Sequence, residues 1–313
     1  MYDWMGRDIH YLRLSLTQRC NLRCVYCREE RDVCESGQEL TPEQVTELMQ
    51  AFVAVGITRV RLTGGEPLMR RDLEKIVQRV ASFPQVQDLS MTTNAQGLAD
   101  RISGLHSLGL QRVNISLDSL NAQHYRDMTR GGDFQQVWKG IEAALKQGMQ
   151  VKLNTVLIRG QNDREVDDFI RLAEQYPISV RFIEQMPFGA PTRAGQRILN
   201  SDILTRHPEL YPVEPYHVSQ PSQDYCADGF AGRVGFISPI SHQFCNECNR
   251  IRLTSEGKLR LCLGHEAEID VRPFLNGDTK RLKAVIRDAI YHKPQAHAFA
   301  TVCPFRTMNQ IGG

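Results

Sequence analysis

The chain has 313 residues, 41 % hydrophobic and 24 % charged, and its 38 Lys+Arg against 36 Asp+Glu leave a formal charge of +2. Those are the proportions of a folded globular protein of one large or two modest domains, which excludes wholesale disorder. No apolar run nears the roughly 20 residues that a membrane-spanning helix needs. The first eight residues lack the apolar core of a secretory signal, so the chain reads as cytoplasmic. A near-neutral charge gives no footprint for nucleic acid or a membrane surface, and any basic site must be local.

In chain order, short strand-like runs alternate with amphipathic segments: strands are predicted at 11–16, 59–63, 89–93, 112–117, 151–158 and 179–184. Between the first two, Thr41-Pro42-Glu43-Gln44 reads as a helix start with a capping box and proline in the first turn. Val45, Leu48, Met49, Phe52 and Val53 then give one buried face, and Gly56 fits the stop. Val137, Ile141, Ala144 and Leu145 repeat the pattern before Gly148. Six β-α units in series predict a parallel sheet with outer helices, curled by right-handed crossovers into a partial (β/α)6 TIM-type barrel. Six strands fall short of the eight of a closed barrel, so one side stays open, and the chemistry belongs at the C-terminal strand ends.

After Glu184 the rhythm stops, and Pro187, Gly189, Pro191, Gly195, Pro212, Pro215 and Pro221 punctuate a loop-rich stretch. Short strands are predicted at 235–240 and 251–262, the second broken at Ser255-Glu256-Gly257, with a late helix marked by Leu282, Val285, Ile286, Ala289 and Ile290. The expected division is a barrel over 1–186 and, over 187–313, a C-terminal segment that closes the open side.

Nine cysteines are many for a reducing compartment, where a disulfide framework is the weaker reading and tight clusters suggest metal or redox chemistry. Cys20, Cys24 and Cys27 crowd the long loop after the first strand, and three thiolates there suit three irons of a [4Fe–4S] cluster, leaving the fourth open. Thr63-Gly64-Gly65-Glu66-Pro67 ends the second strand, its paired glycines letting a ligand approach the backbone and its glutamate suited to an ammonium group. Cys245, Cys248 and Cys262 form a second set, with Arg250 and Arg252 between them. By itself this set is also compatible with a zinc knuckle using His242 or His265 as fourth ligand. Cys34, Cys226 and Cys303 match no motif and read as unliganded thiols.

The CxxxCxxC loop, with Tyr26 before its third cysteine, and the GGEP after the second strand resemble the radical S-adenosylmethionine (SAM) enzymes. The resemblance narrows to the GTP 3′,8-cyclase family of molybdenum-cofactor synthesis. It is carried by Leu12-Arg13-Leu14-Ser15, Arg61 to Asp72, Thr92-Thr93-Asn94, Asn114 to Asp118, Lys152-Leu153-Asn154, Arg181 to Met186, the second cysteine set and the terminal Ile311-Gly312-Gly313. It implies two [4Fe–4S] clusters, with the open iron of the first binding the amino and carboxylate groups of SAM and the second anchoring guanine. Tyr26, Gly65, Glu66, Ser116 and Met186 would then serve SAM, and Arg13, Arg61, Thr92, Lys152, Arg250, Ile251 and Arg252 would surround GTP. It further implies that Gly312 and Gly313 reach into the active site, where glycine admits backbone that a Cβ would exclude. The implied reaction abstracts the ribose 3′ hydrogen and joins C3′ to C8 of guanine. The implied partners are a flavodoxin- or ferredoxin-like electron donor and a downstream cyclic pyranopterin monophosphate synthase, with no nucleic acid and no membrane, the chain acting as monomer or homodimer. Two other readings fit parts of the pattern: a peptide-modifying radical SAM maturase, and a zinc-braced binding module without catalysis. Asn94 is followed by Ala95 where that family commonly has glycine.

Overall fold

A computed structural model of the chain describes residues 1–27, 38–188, 197–217, 219–275, 277–299 and 307–312. Cys34, Cys303, Gly313 and the loop positions Gly189, Pro191 and Gly195 lie outside the described residues. Six β-α units follow one another: β1 (Tyr11–Ser15), α1 (Pro42–Ala54), β2 (Arg59–Thr63), α2 (Leu73–Ala81), β3 (Asp88–Thr93), α3 (Leu98–Ser107), β4 (Arg112–Ser116), α4 (Ala122–Thr129), α5 (Phe134–Lys146), β5 (Gln150–Leu157), α6 (Val166–Gln175) and β6 (Ile178–Glu184). The C-terminal part adds α7 (Asn200–Arg206), β7 (Tyr211–Pro212), β8 (Gln223–Cys226), β9 (Arg233–Ile237), β10 (Arg250–Leu253), β11 (Lys258–Arg260), β12 (Ile269–Asp270), α8 (Thr279–Tyr291) and α9 (Met308–Ile311).

Local rules account for the helices. Thr41 accepts from the Gln44 backbone while Gln44 Oε1 accepts from the Thr41 N–H, a complete capping box, and Pro42 fills the first turn. Gly56, at φ +100°, takes the left-handed stop that a side chain resists. Ala95 also has positive φ, +61°, a conformation that costs an alanine more than the glycine expected there.

The strands carry the barrel by alternation. Leu12, Leu14, Val60, Leu62, Val113, Ile115, Val151, Leu153, Val180 and Phe182 point outward into the helix-covered core. Each such burial stabilises by roughly 1.5–3 kcal/mol. The residues between them point inward and are polar or charged. Consecutive strands β1 to β6 pair in parallel, and the partial barrel expected from the sequence is present. The C-terminal segment lengthens the sheet at both ends without closing it: β10 pairs in parallel with β1, and β9 with β6. Eight parallel strands therefore stand side by side, as many as in a closed barrel. The ring stays open because antiparallel β11–β12 and β8–β7 flank them as the outer strands among the described residues. No described helix is long and apolar enough to cross a membrane.

Candidate active site

The inward face of the barrel is cationic although the whole chain is nearly neutral. Arg13 (β1), Arg61 (β2), Arg181 (β6), and Arg250 and Arg252 (β10) line one cavity of about 350 Å³, which also reaches the C-terminal strand ends at Thr63, Thr93, Ser116 and Glu184. Burial pulls the Arg61 and Arg252 guanidiniums down to about 10, and Arg13 lies well below the ordinary guanidinium value, its burial compounded by Arg252 and Arg61. Tyr11 reports the same field: burial raises its phenol, yet Arg61, Arg112, Arg13 and Arg59 bring it below its usual value. Arg61 Nε and Thr92 Oγ1 are buried without a hydrogen-bond partner in a cavity they line. Unsatisfied buried donors beside like charges are costly until an anion arrives.

Cys20, Cys24 and Cys27 open onto this cavity. Their loop is held at several points. Arg23 N–H donates to Thr129 O and Val25 N–H to Met128 O, tying it to the last turn of α4. Tyr26 Oη donates to Asp118 Oδ2 at 2.8 Å, and the other Asp118 oxygen accepts from Val156 N–H of β5. Burial pushes the Asp118 carboxyl up to about 6 and the Cys24 thiol well above its ordinary value. Asn94 Nδ2 donates to Asn21 Oδ1 at 2.8 Å and lies 3.8 Å from Cys20 Sγ.

Gly64 and Gly65 line the cavity and have a second, structural use. What approaches Gly64 and Gly65 closely is the protein's own backbone. A Cβ on Gly64 would sit 2.6 Å from Thr17 O, and one on Gly65 2.5 Å from Gln18 O. Gly65 and Glu66 N–H groups donate to Thr17 O and Arg19 O, so the pair docks the start of the cysteine loop. Glu66 lines the cavity, but its carboxylate already accepts from Leu68 N–H, Thr93 Oγ1 and Asn94 N–H, at 2.6 to 2.9 Å. Burial raises it to about 7 in spite of those donors. Gly65, Ser116, Met186 and Tyr26 all border the same space.

Cys245, Cys248 and Cys262 border it as well. Burial pushes Cys248 up, but Arg250 and Lys293 outweigh it and bring the thiol down to about 6. Among the described residues no three His, Cys, Asp or Glu side chains are grouped as one metal ion would require, and His242 is exposed while His265 Nε2 contacts Ala296 O. Among the described residues neither histidine is placed as a fourth ligand for a zinc knuckle. Each set puts three thiols on the wall of the cavity, the donor set that a [4Fe–4S] cluster with one open iron would use.

Two expected contacts lie off the cavity. Ile251 is fully buried and belongs to the outward core, as strand alternation between Arg250 and Arg252 demands. Lys152 sits two residues below cavity-lining Asn154 on the same face of β5, buried under the Tyr216 ring at 4.9 Å. Burial, then Arg181, Arg112 and Arg61, lower its ammonium to about 5. Of the C-terminal tail, Met308 and Asn309 line the cavity. Gly312 is buried at φ +76°, its carbonyl accepts from Arg252 Nη1 at 2.9 Å, and a Cβ there would lie 2.8 Å from Ser15 Cβ and Thr63 Oγ1. Asn309 Nδ2 anchors the tail on Gln18 O.

The sequence reading did not single out Asp118, Lys293 or Arg7 as functional. Arg7 is paired with Asp3 at 2.7 Å and donates to Cys245 O, bracing the second set from the N-terminal segment. Nothing in a run of separate arginines and lysines marks which will be buried together.

An open parallel barrel with a three-cysteine loop after its first strand and a glycine pair after its second defines a radical SAM protein. Consistent with this, residues 14–173 match the Radical SAM superfamily and residues 178–299 match Molybdenum Cofactor Synthesis C. The chain is 42 % identical, over all of both chains, to GTP 3′,8-cyclase of Alkaliphilus oremlandii and to that of Moorella thermoacetica. It is 40 % identical to the Listeria monocytogenes enzyme, covering 99 % of this chain and 98 % of that one. The chain belongs to the GTP 3′,8-cyclase family. Among solved structures, Streptococcus suis SuiB bound to its precursor peptide SuiA superposes with a TM-score of 0.62 at 14 % identity, over 96 % of this chain and 68 % of that one, a likeness of fold alone.

Proposed function

We propose that this protein converts GTP to (8S)-3′,8-cyclo-7,8-dihydro-GTP, the first step of molybdenum-cofactor biosynthesis, using SAM and two [4Fe–4S] clusters. The observation that carries this reading is that both cysteine sets open onto one cavity walled by five arginines, two of them buried. Cys20, Cys24 and Cys27 would hold the first cluster, and Cys245, Cys248 and Cys262 the second. A reduced [4Fe–4S] cluster with one open iron supplies the electron that cleaves the SAM sulfonium and gives a 5′-deoxyadenosyl radical.

The chain's own residues supply position and charge. Tyr26, Gly65, Glu66, Ser116 and Met186 border the space proposed for SAM, and Arg13, Arg61, Thr92, Arg250 and Arg252 that for GTP. Guanidiniums already stripped of water bind a triphosphate strongly, because the anion removes like-charge repulsion and satisfies orphaned donors together. Clamping the ribose is necessary, since a primary carbon radical reacts with whatever lies nearest. A one-electron donor protein, a downstream cyclic pyranopterin monophosphate synthase, a cytoplasmic setting and a monomeric or homodimeric state complete the proposal, as does the division at residue 186.

Removing one hydrogen from C3′ and returning an electron and a proton leaves the product isomeric with GTP. Anaerobic incubation with SAM, GTP and reductant, followed by chromatography and mass analysis, is expected to give that isomer, together with 5′-deoxyadenosine and methionine. Deoxyadenosine without a GTP isomer would assign the radical to another substrate.

A further inference from the structure

Lys293 lies just beyond α8, with 2 % of its surface exposed. Its ammonium donates to Arg250 O at 2.9 Å and to Leu261 O. Arg250 follows Cys248 by two residues and Leu261 precedes Cys262, so one side chain bridges both arms of the second cysteine set. Among the described residues no carboxylate pairs with it. The contrast with neighbouring Arg7 is informative. That guanidinium is equally buried and touches Lys293 O and Cys245 O, but Asp3 neutralises it at 2.7 Å. A buried ammonium held only by carbonyl dipoles is expensive unless a negative charge stands close by. Burial lowers the Lys293 ammonium below its ordinary value and Arg7 and Arg250 add to that, while the Cys248 and Cys262 sulfurs act the other way and favour its charge.

We propose that Lys293 is the counter-ion of the second iron–sulfur cluster, a positioning residue whose buried charge offsets that of the three thiolates and sets how readily the cluster accepts an electron. The inference rests on the proposed function, in which Cys245, Cys248 and Cys262 hold such a cluster. Each added electron makes the thiolate-bound group one unit more negative, so an adjacent fixed cation favours the reduced form. The geometry fits this role, because the two carbonyls hold the ammonium between the Cys248 and Cys262 arms and, among the described residues, no carboxylate competes for it.

The test is an anaerobic redox titration of the reconstituted full-length enzyme with dithionite, followed by electron paramagnetic resonance. Added SAM displaces the first cluster's signal, so the two potentials are read separately. Wild type, Lys293→Met, Lys293→Gln and Lys293→Arg are compared, with iron counted in each. The neutral variants are expected to lower the second cluster's reduced-to-oxidised ratio at fixed poise by about tenfold, ~59 mV for one electron, with the first cluster unmoved and Arg restoring the wild-type value. Loss of second-cluster iron in Met and Gln with retention in Arg also supports the counter-ion, since charge is then what holds the set together. An unchanged potential in fully loaded neutral variants overturns it, as does iron loss in all three variants, which would make Lys293 a geometric clamp. Only one cluster in the wild type overturns the underlying reading instead.

Discussion

The Arg252 guanidinium donates to the Gly312 carbonyl from a fully buried place beside Arg250 and two thiols. It therefore meets the tail and the proposed substrate at once. Arg252→Ala should weaken GTP binding about 10- to 150-fold, the loss of a charge-assisted hydrogen bond of ~1.5–3 kcal/mol. SAM binding should change little, which calorimetry with each ligand separately would check; equal losses would mean damage to the whole cavity. Lys152 gives a pH signature. Its folded value, about 5, is far below the ordinary 10.5, so between those values the folded free chain holds one proton fewer than the unfolded chain. Its contribution to folding stability therefore improves as pH rises through that window and is lost as pH falls through the folded value. If a triphosphate restores that proton, GTP affinity falls as pH rises from 6 to 8, by at most about tenfold per unit. Affinities measured for wild type and Lys152→Met should diverge in slope; identical slopes would show that Lys152 keeps its state on binding.

At the scale of elements, the β-α rhythm was legible because outward Leu, Val and Ile alternate with inward polar residues and the helix caps obey local rules. Thr41, Gln44 and Gly56 needed no partner from elsewhere in the chain. The closing strands were less so. β9 and β10 read as short strands, but nothing local says that one pairs with β6 and the other with β1, since register is fixed by contacts distant in sequence. The glycine pair shows the same limit: the motif was visible, while the backbone of Thr17 to Arg19 that it accommodates was not. Gly65→Ala tests that docking. The clash is with backbone atoms that cannot rotate away, so the loop must shift, at a cost of about 1–3 kcal/mol. The expected outcome is an unchanged circular dichroism spectrum, half the iron and no SAM cleavage. Full iron loading with normal cleavage would show that the loop tolerates the added methyl.

Across the whole molecule, the site is assembled from both ends of the chain. Arg7 braces Cys245, the first β-α unit carries the first cysteine set, and the last described residue bonds to Arg252. The resemblance carried by Ile311-Gly312-Gly313 gave the tail a role in the site, and the contacts of the described tail residues define how to test it. Ile311 is fully buried, Thr307 and Gln310 form a capping box, and Asn309 is tied to Gln18 O beside the first cysteine loop. These contacts precede Gly312, so deleting Gly312 and Gly313 leaves the anchor in place. Of the described contacts, it removes the carbonyl that Arg252 holds and the backbone lying against Ser15 and Thr63. Folding, iron content and most SAM cleavage should therefore survive the deletion. Cyclised GTP should fall sharply, because Arg252, proposed to hold GTP, loses the acceptor that orients it. Uncoupled 5′-deoxyadenosine should continue to form, and its ratio to the GTP isomer, read by chromatography, is the decisive measurement. A ratio unchanged from that of the full-length chain would reduce the tail to a packed terminus.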